Sequence, residues 1–130
     1  MPSSTPSSYR LPDLRSLCPW KGSFNPHYDS ASLGSSQWVL QYTSLLIPSK
    51  ERIPFFEQKG SELLAAWVYP YADAEQLRTC CDFINYTYVI DEVSDVQGVQ
   101  DAQTTGATVL NAMKDDAYED GTVLCKMVKE

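Results

Sequence analysis

The feature that most constrains this sequence is a helical pattern running without a proline or glycine from Ala74 to about Asp95. Asp73 precedes it and Gln76 follows three residues later, the spacing of a capping box, in which two side chains each satisfy one free backbone N–H of the first turn. The β-branched stretch from Tyr86 to Val93 falls within the same 3.6-residue period and shows no strand alternation. A second helix is expected after Asn25-Pro26, an N-cap followed by proline at the first helical position, with Ala31, Ser35, Trp38, Tyr42 and Leu45 on its inner face and an end before Pro48. Another should begin near Glu51 to Pro54 and carry Phe56, Leu63, Leu64 and Trp67 toward a core until Pro70 stops it.

Beyond the break at Gly98, the residues Val99, Ala102, Gly106, Val109, Leu110 and Met113 predict a further helix, followed by an acidic loop from Lys114 to Gly121. Thr122 can cap a last helix carrying Val123, Leu124, Met127 and Val128, which reaches the terminus with no stop signal, so the chain is expected to end inside an element. The fold class is therefore all-α. Residues 1–25, rich in proline and serine, read as a disordered tip followed by an irregular arm, and residues 26–130 as one partial helical domain.

A net charge of −7 argues against broad affinity for nucleic acid or anionic membrane surfaces. Neither a secretory signal nor an apolar run long enough to span a bilayer is present, and the expected location is the cytoplasm. Cys18, Cys80, Cys81 and Cys125 lack both zinc spacing and the pattern of a small disulfide scaffold, and read as reduced thiols.

On the long helix, Leu77, Cys81, Ile84, Tyr88, Asp91 and Asp95 follow steps of four and three along one face, so two carboxylates close an apolar stripe. Glu92 is turned about 100° away from Asp91. Like charges at i and i+4 repel, and carboxylates near a helix C-terminus meet the negative end of its dipole, each effect costing a few tenths to about 1 kcal/mol. Partial burial on the core face would add a desolvation cost, so a cation is expected there. From Thr79 through Met113 there is no Lys, Arg or His to supply it. Hard oxygen donors with incomplete coordination suit Mg2+, whereas Val93 at the third ligand position and the missing glycine exclude a calcium EF-hand loop. The five-residue pattern alone is weak, and a solvated helix end or a pair with a distant arginine remains the alternative.

Wider sequence agreement adds to this. Leu11-Pro12-Asp13-Leu14, Cys18-Pro19-Trp20-Lys21-Gly22, Asn25-Pro26-His27-Tyr28, Tyr69-Pro70-Tyr71-Ala72, the run Gln76 to Phe83, Asp91-Glu92-Val93-Ser94-Asp95 and Asn111-Ala112-Met113 together resemble the fungal, mushroom-type class I sesquiterpene synthases, over nearly the whole chain after residue 8. The resemblance implies part of a class I terpene synthase helical bundle, an N-terminal fragment, binding a prenyl diphosphate such as farnesyl diphosphate through Mg2+. It implies Asp91 as principal metal ligand, Asp95 as second or water-mediated ligand, and Glu92 as the third acidic member. Ile84, Thr87 and Tyr88 would then lie one or two turns deeper along an apolar substrate cavity. The family's second metal motif, of the Asn-Asp-x-x-Ser-x-x-x-Glu type, and its later diphosphate-binding arginine are absent from these residues, so the fragment alone is expected to be inactive. A non-catalytic helical remnant and a chain-elongating prenyl transferase are the competing readings.

Overall fold

The computed structural model describes residues 10–47 and 60–130. Among these, all regular structure is helical: α1 (Leu14–Leu17), α2 (Tyr28–Leu46), α3 (Ser61–Val68), α4 (Ala74–Ser94), α5 (Val99–Lys114) and α6 (Val123–Lys129). The all-α expectation holds. The expected helix start near Glu51 to Pro54, and Phe56 with it, lies outside the described residues. No described helix is long and apolar enough to cross a membrane.

The central pair is α2 with α4, and each buries a row of residues spaced four apart. On α2 these are Ala31, Ser35, Val39 and Thr43, continued by Ile47; on α4 they are Leu77, Cys81, Asn85, Val89 and Val93. Rows at i±4 form the ridges that interdigitate when helices cross obliquely, at about −50° in the commonest class. The core divides along this seam. Val39, Tyr42, Tyr86, Val89 and Val93 meet Leu124 and Met127 of α6 at one end. Ala31 and Ala65 meet Leu77 and Cys81 at the other. Helix α5 packs mainly on α6, and the two form a unit that leans on α2 and α4.

Two local expectations are corrected. First, α2 starts at Tyr28 with His27 as its cap residue, not at Pro26. Asn25 is instead fully buried and works as a staple: its side-chain oxygen accepts from the His27 N–H at 2.8 Å, and its amide donates to the carbonyls of Tyr69 and Ala72, each at 2.8 Å. Second, α3 turns Ser61, Glu62, Ala65 and Ala66 inward and leaves Leu63, Leu64 and Trp67 exposed. The small alanines permit close approach to the α2–α4 pair, and Gly60, at φ +60°, supplies the left-handed residue before the helix. The helix expected beyond Gly98 is found as α5, with Val99, Leu110 and Met113 exposed and Thr108 and Ala112 buried.

The ends of α4 and α6 follow the sequence signals. Asp73 accepts from the Gln76 N–H at 2.9 Å while the Gln76 side chain accepts from the Asp73 N–H at 3.1 Å. The Thr122 hydroxyl accepts from the Cys125 N–H at 3.1 Å. Thr122 is itself fixed by Asp120, whose carboxylate accepts from its N–H and hydroxyl, from the Thr108 hydroxyl at 2.7 Å and from the Tyr118 hydroxyl at 3.2 Å. These donors hold the Asp120 carboxyl well below the usual carboxylate range.

Candidate functional site

A step of four residues carries a helix position 40° around the axis. The buried ridge of α4 therefore winds by about 160° between Leu77 and Val93, and the stripe that starts in the core at Leu77 is off the seam by the time it reaches the acidic motif. Leu77 and Cys81 are buried, Ile84 and Tyr88 half-buried, and Asp91 and Asp95 exposed. Thr87 is also exposed, its hydroxyl donating to the Ile84 carbonyl at 2.7 Å. The expected burial of Asp91 and Asp95 on the core face is therefore not found. The carboxylate that goes into the packed side is Glu92, at 6% exposure.

Backbone bonding continues to the end of the motif: the Asp95 N–H and the Ser94 hydroxyl both donate to the Asp91 carbonyl at 3.0 Å. No basic residue occupies the last turn of α4. Asp91 and Asp95 thus present two hard-oxygen groups on one flank of a helix end. Among the described residues no group of three or more His, Cys, Asp or Glu is arranged to hold a metal ion. Two carboxylates by themselves are an incomplete ligand set for a divalent cation.

The polar interior was not foreseen. Asn85, on the buried ridge, donates to the Ser35 hydroxyl at 2.9 Å and to Glu62 Oε1 at 2.7 Å, and Ser36 donates to the same Glu62 oxygen at 2.9 Å. This knot joins α2, α3 and α4 six residues before Asp91. The available signal was the i+4 placement of Asn85 after Cys81, which puts an amide among apolar neighbours. Burial, reinforced by the Glu62 and Asp82 carboxylates, pushes the Cys81 thiol up to about 11, so it stays protonated. All four cysteines are free, as expected. At the far end, the Tyr42 hydroxyl donates to the Glu130 carboxylate beside Lys126, and burial together with that bond pushes the Tyr42 phenol up to about 12. His27 makes no side-chain cap bond to α2.

These features define a class: an all-α domain whose longest helix ends in an exposed acidic pair. The 130 residues align with curated fungal proteins. They are 45% identical over 128 residues to the bifunctional terpene synthase Agr4 of Cyclocybe aegerita, covering 98% of this chain and 36% of that protein. They are 44% identical over 126 residues, 97% of this chain and 36% of the relative, to a Coprinopsis cinerea protein named linoleate 10R-lipoxygenase COP4. Viridiflorene synthase Agr2 of Cyclocybe aegerita matches at 31% over 132 residues, 99% of this chain and 33% of its own length. No protein-family model matches the chain. The chain belongs to the fungal sesquiterpene synthase family, and it spans about a third of the length of the curated relatives it matches.

Proposed function

We propose that this chain is the metal-motif portion of a Mg2+-dependent class I terpene synthase acting in the cytoplasm, which ionises and cyclises a prenyl diphosphate such as farnesyl diphosphate. The observation that carries the reading is the exposed Asp91–Asp95 pair at the end of the central helix, in a chain similar over nearly its full length to synthases of this class. Asp91 and Asp95 hold magnesium. A magnesium ion held there would supply Lewis acidity to a departing diphosphate. Glu92, turned into the packed side, is the third acidic member beside Asp91 and Asp95.

The residues below the pair act on the hydrocarbon. Ile84 and Thr87 form wall, and Tyr88 offers an aromatic face toward developing positive charge. Packing of Ile84 and Tyr88 against the two core clusters supports a rigid wall on that side. The hard-oxygen donor set favours this chemistry over the one stated in the Coprinopsis protein's name.

The test extends the reading frame from the transcript to the length of the relatives and incubates the purified protein with farnesyl diphosphate and Mg2+, reading hydrocarbons by mass spectrometry. Hydrocarbon from the extended protein, absent with Asp91→Ala and absent from the 130 residues alone, supports the proposal. A folded extended protein that converts neither farnesyl nor shorter or longer prenyl diphosphates refutes it.

A further inference from the structure

The loop between α5 and α6 holds the one place in this sequence where an aspartate or asparagine precedes glycine, Asp120-Gly121. At such a link the glycine nitrogen can attack the side-chain carboxyl carbon of the aspartate, because glycine has no side chain to hinder the approach. A C–N bond forms, the amide proton and the hydroxyl of the protonated carboxyl depart as water, and a five-membered succinimide results. Water then opens the ring on one of two sides. Breaking the new bond restores aspartate. Breaking the original peptide C–N bond leaves an isoaspartyl residue, with the main chain rerouted through Cβ and Cγ and the carboxylate moved onto Cα. No oxidant, metal or enzyme is required.

In the folded chain the same carboxyl is fully engaged. One oxygen accepts from the Thr122 N–H at 2.9 Å and from the Thr122 hydroxyl at 2.7 Å. The other accepts from the Thr108 hydroxyl at 2.7 Å and from the Tyr118 hydroxyl at 3.2 Å. Ring closure makes the carboxyl carbon tetrahedral and expels one oxygen, so the two bonds to that oxygen must break first. The same donors favour the ionised carboxylate, whereas the protonated acid is the form that loses water. Crowding is not the barrier, since an added Cβ at Gly121, which sits at φ +76°, would meet nothing within 4 Å.

We infer that Asp120-Gly121 is an isoaspartate-forming link held in check by the fold, and that its conversion unfastens α6. The bonds that protect the link are the ones the reaction removes. An isoaspartyl residue lengthens the main chain and carries its carboxylate directly on Cα, so the oxygens no longer reach Thr108 and Thr122 together. Thr122 then loses the partner that fixes it as the cap of α6, the helix that brings Leu124 and Met127 to the core shared with Val39, Tyr42, Tyr86, Val89 and Val93. The inference stands apart from the catalytic reading, because the reacting atoms belong to two adjacent residues and the protecting donors lie on α5, on α6 and in the loop between them.

The test compares the 130-residue chain with a synthetic peptide of residues 114–124, both kept in warm neutral buffer made with heavy-oxygen water, which labels each reopened ring. Peptide mapping then locates the label and the isoaspartate. The link should convert at least about tenfold more slowly in the chain than in the peptide, the margin expected where a segment must first open locally. Thr108→Val with Tyr118→Phe removes both donors to one oxygen and should narrow that margin by about fivefold. In the converted chain, separated by chromatography, the Cys125 and Lys126 amides, which donate to Thr122, should lose hydrogen-exchange protection by about fivefold or more while α4 keeps its own. Equal rates in chain and peptide overturn the inference. So does a double variant no faster than the parent, or an isoaspartyl chain whose α6 amides are as protected as before.

Discussion

Replacing Asn85 by alanine isolates the polar knot between α2, α3 and α4. The substitution removes the donor to Ser35 and the donor to Glu62, and leaves a carboxylate at 8% residue exposure supported by Ser36 alone. A hydrogen bond to a charged acceptor contributes about 1.5–3 kcal/mol and a neutral one about 1 kcal/mol. With a small cavity added, the expected loss is about 3–4 kcal/mol, a large part of the roughly 5–15 kcal/mol typical of a folded domain. Urea unfolding of the 130-residue chain, followed by circular dichroism at an unchanged m-value, measures it. The companion variants are Asn85→Leu, Glu62→Leu and the double replacement Asn85→Leu with Glu62→Leu, which closes the cycle. Because an apolar pair can substitute for a buried polar one, the double variant should recover at least about half of the loss. A cost of Asn85→Ala below about 1 kcal/mol, or a cycle in which the two sites add independently, would refute the assignment of the knot as the fastening of α4.

Asp91→Asn and Asp95→Asn each remove a like-charge neighbour at an exposed helix end. Each should raise stability by a few tenths of a kcal/mol, seen as a small increase in melting temperature; a clear decrease would mean the carboxylates hold the fold. The Asp120 carboxyl is depressed in the folded state, so its contribution is present above the ordinary carboxylate pKa and is lost on acidification. Asp120→Ala should therefore flatten the acid limb of the stability–pH curve and loosen α6. The Tyr42 phenol, raised to about 12, favours the folded state below the ordinary tyrosine pKa near 10, and that contribution is lost as pH rises through about 12. Burial raises the Tyr86 phenol as well, so ultraviolet titration should show two late tyrosines, of which Tyr42→Phe removes one.

What the sequence made legible was local. The capping box at Asp73, the cap at Thr122, the break at Gly98 and the span of α4 depend on neighbours within one turn, and each appears where the residues indicate. Facing was less legible. Leu63, Leu64 and Trp67 look like a buried stripe on composition, yet two alanines win the inner face because they let backbones approach. Asn25 reads as an N-cap by type, while its carbonyl partners lie more than forty residues away. At the candidate site, the alignment of Asp91 and Asp95 with an apolar stripe was visible, but their exposure was not. A period of 3.6 identifies which residues share a face and cannot say that the neighbouring helix follows the row at intervals of four.

That winding row divides the labour of α4. Its fastening residues, Leu77 through Val93 in steps of four, lie on one arc, and Thr87, Asp91 and Asp95 lie on another. Substitutions along the second arc leave the first unchanged, so the chemistry offered at this helix end can diversify while the scaffold that presents it is inherited intact.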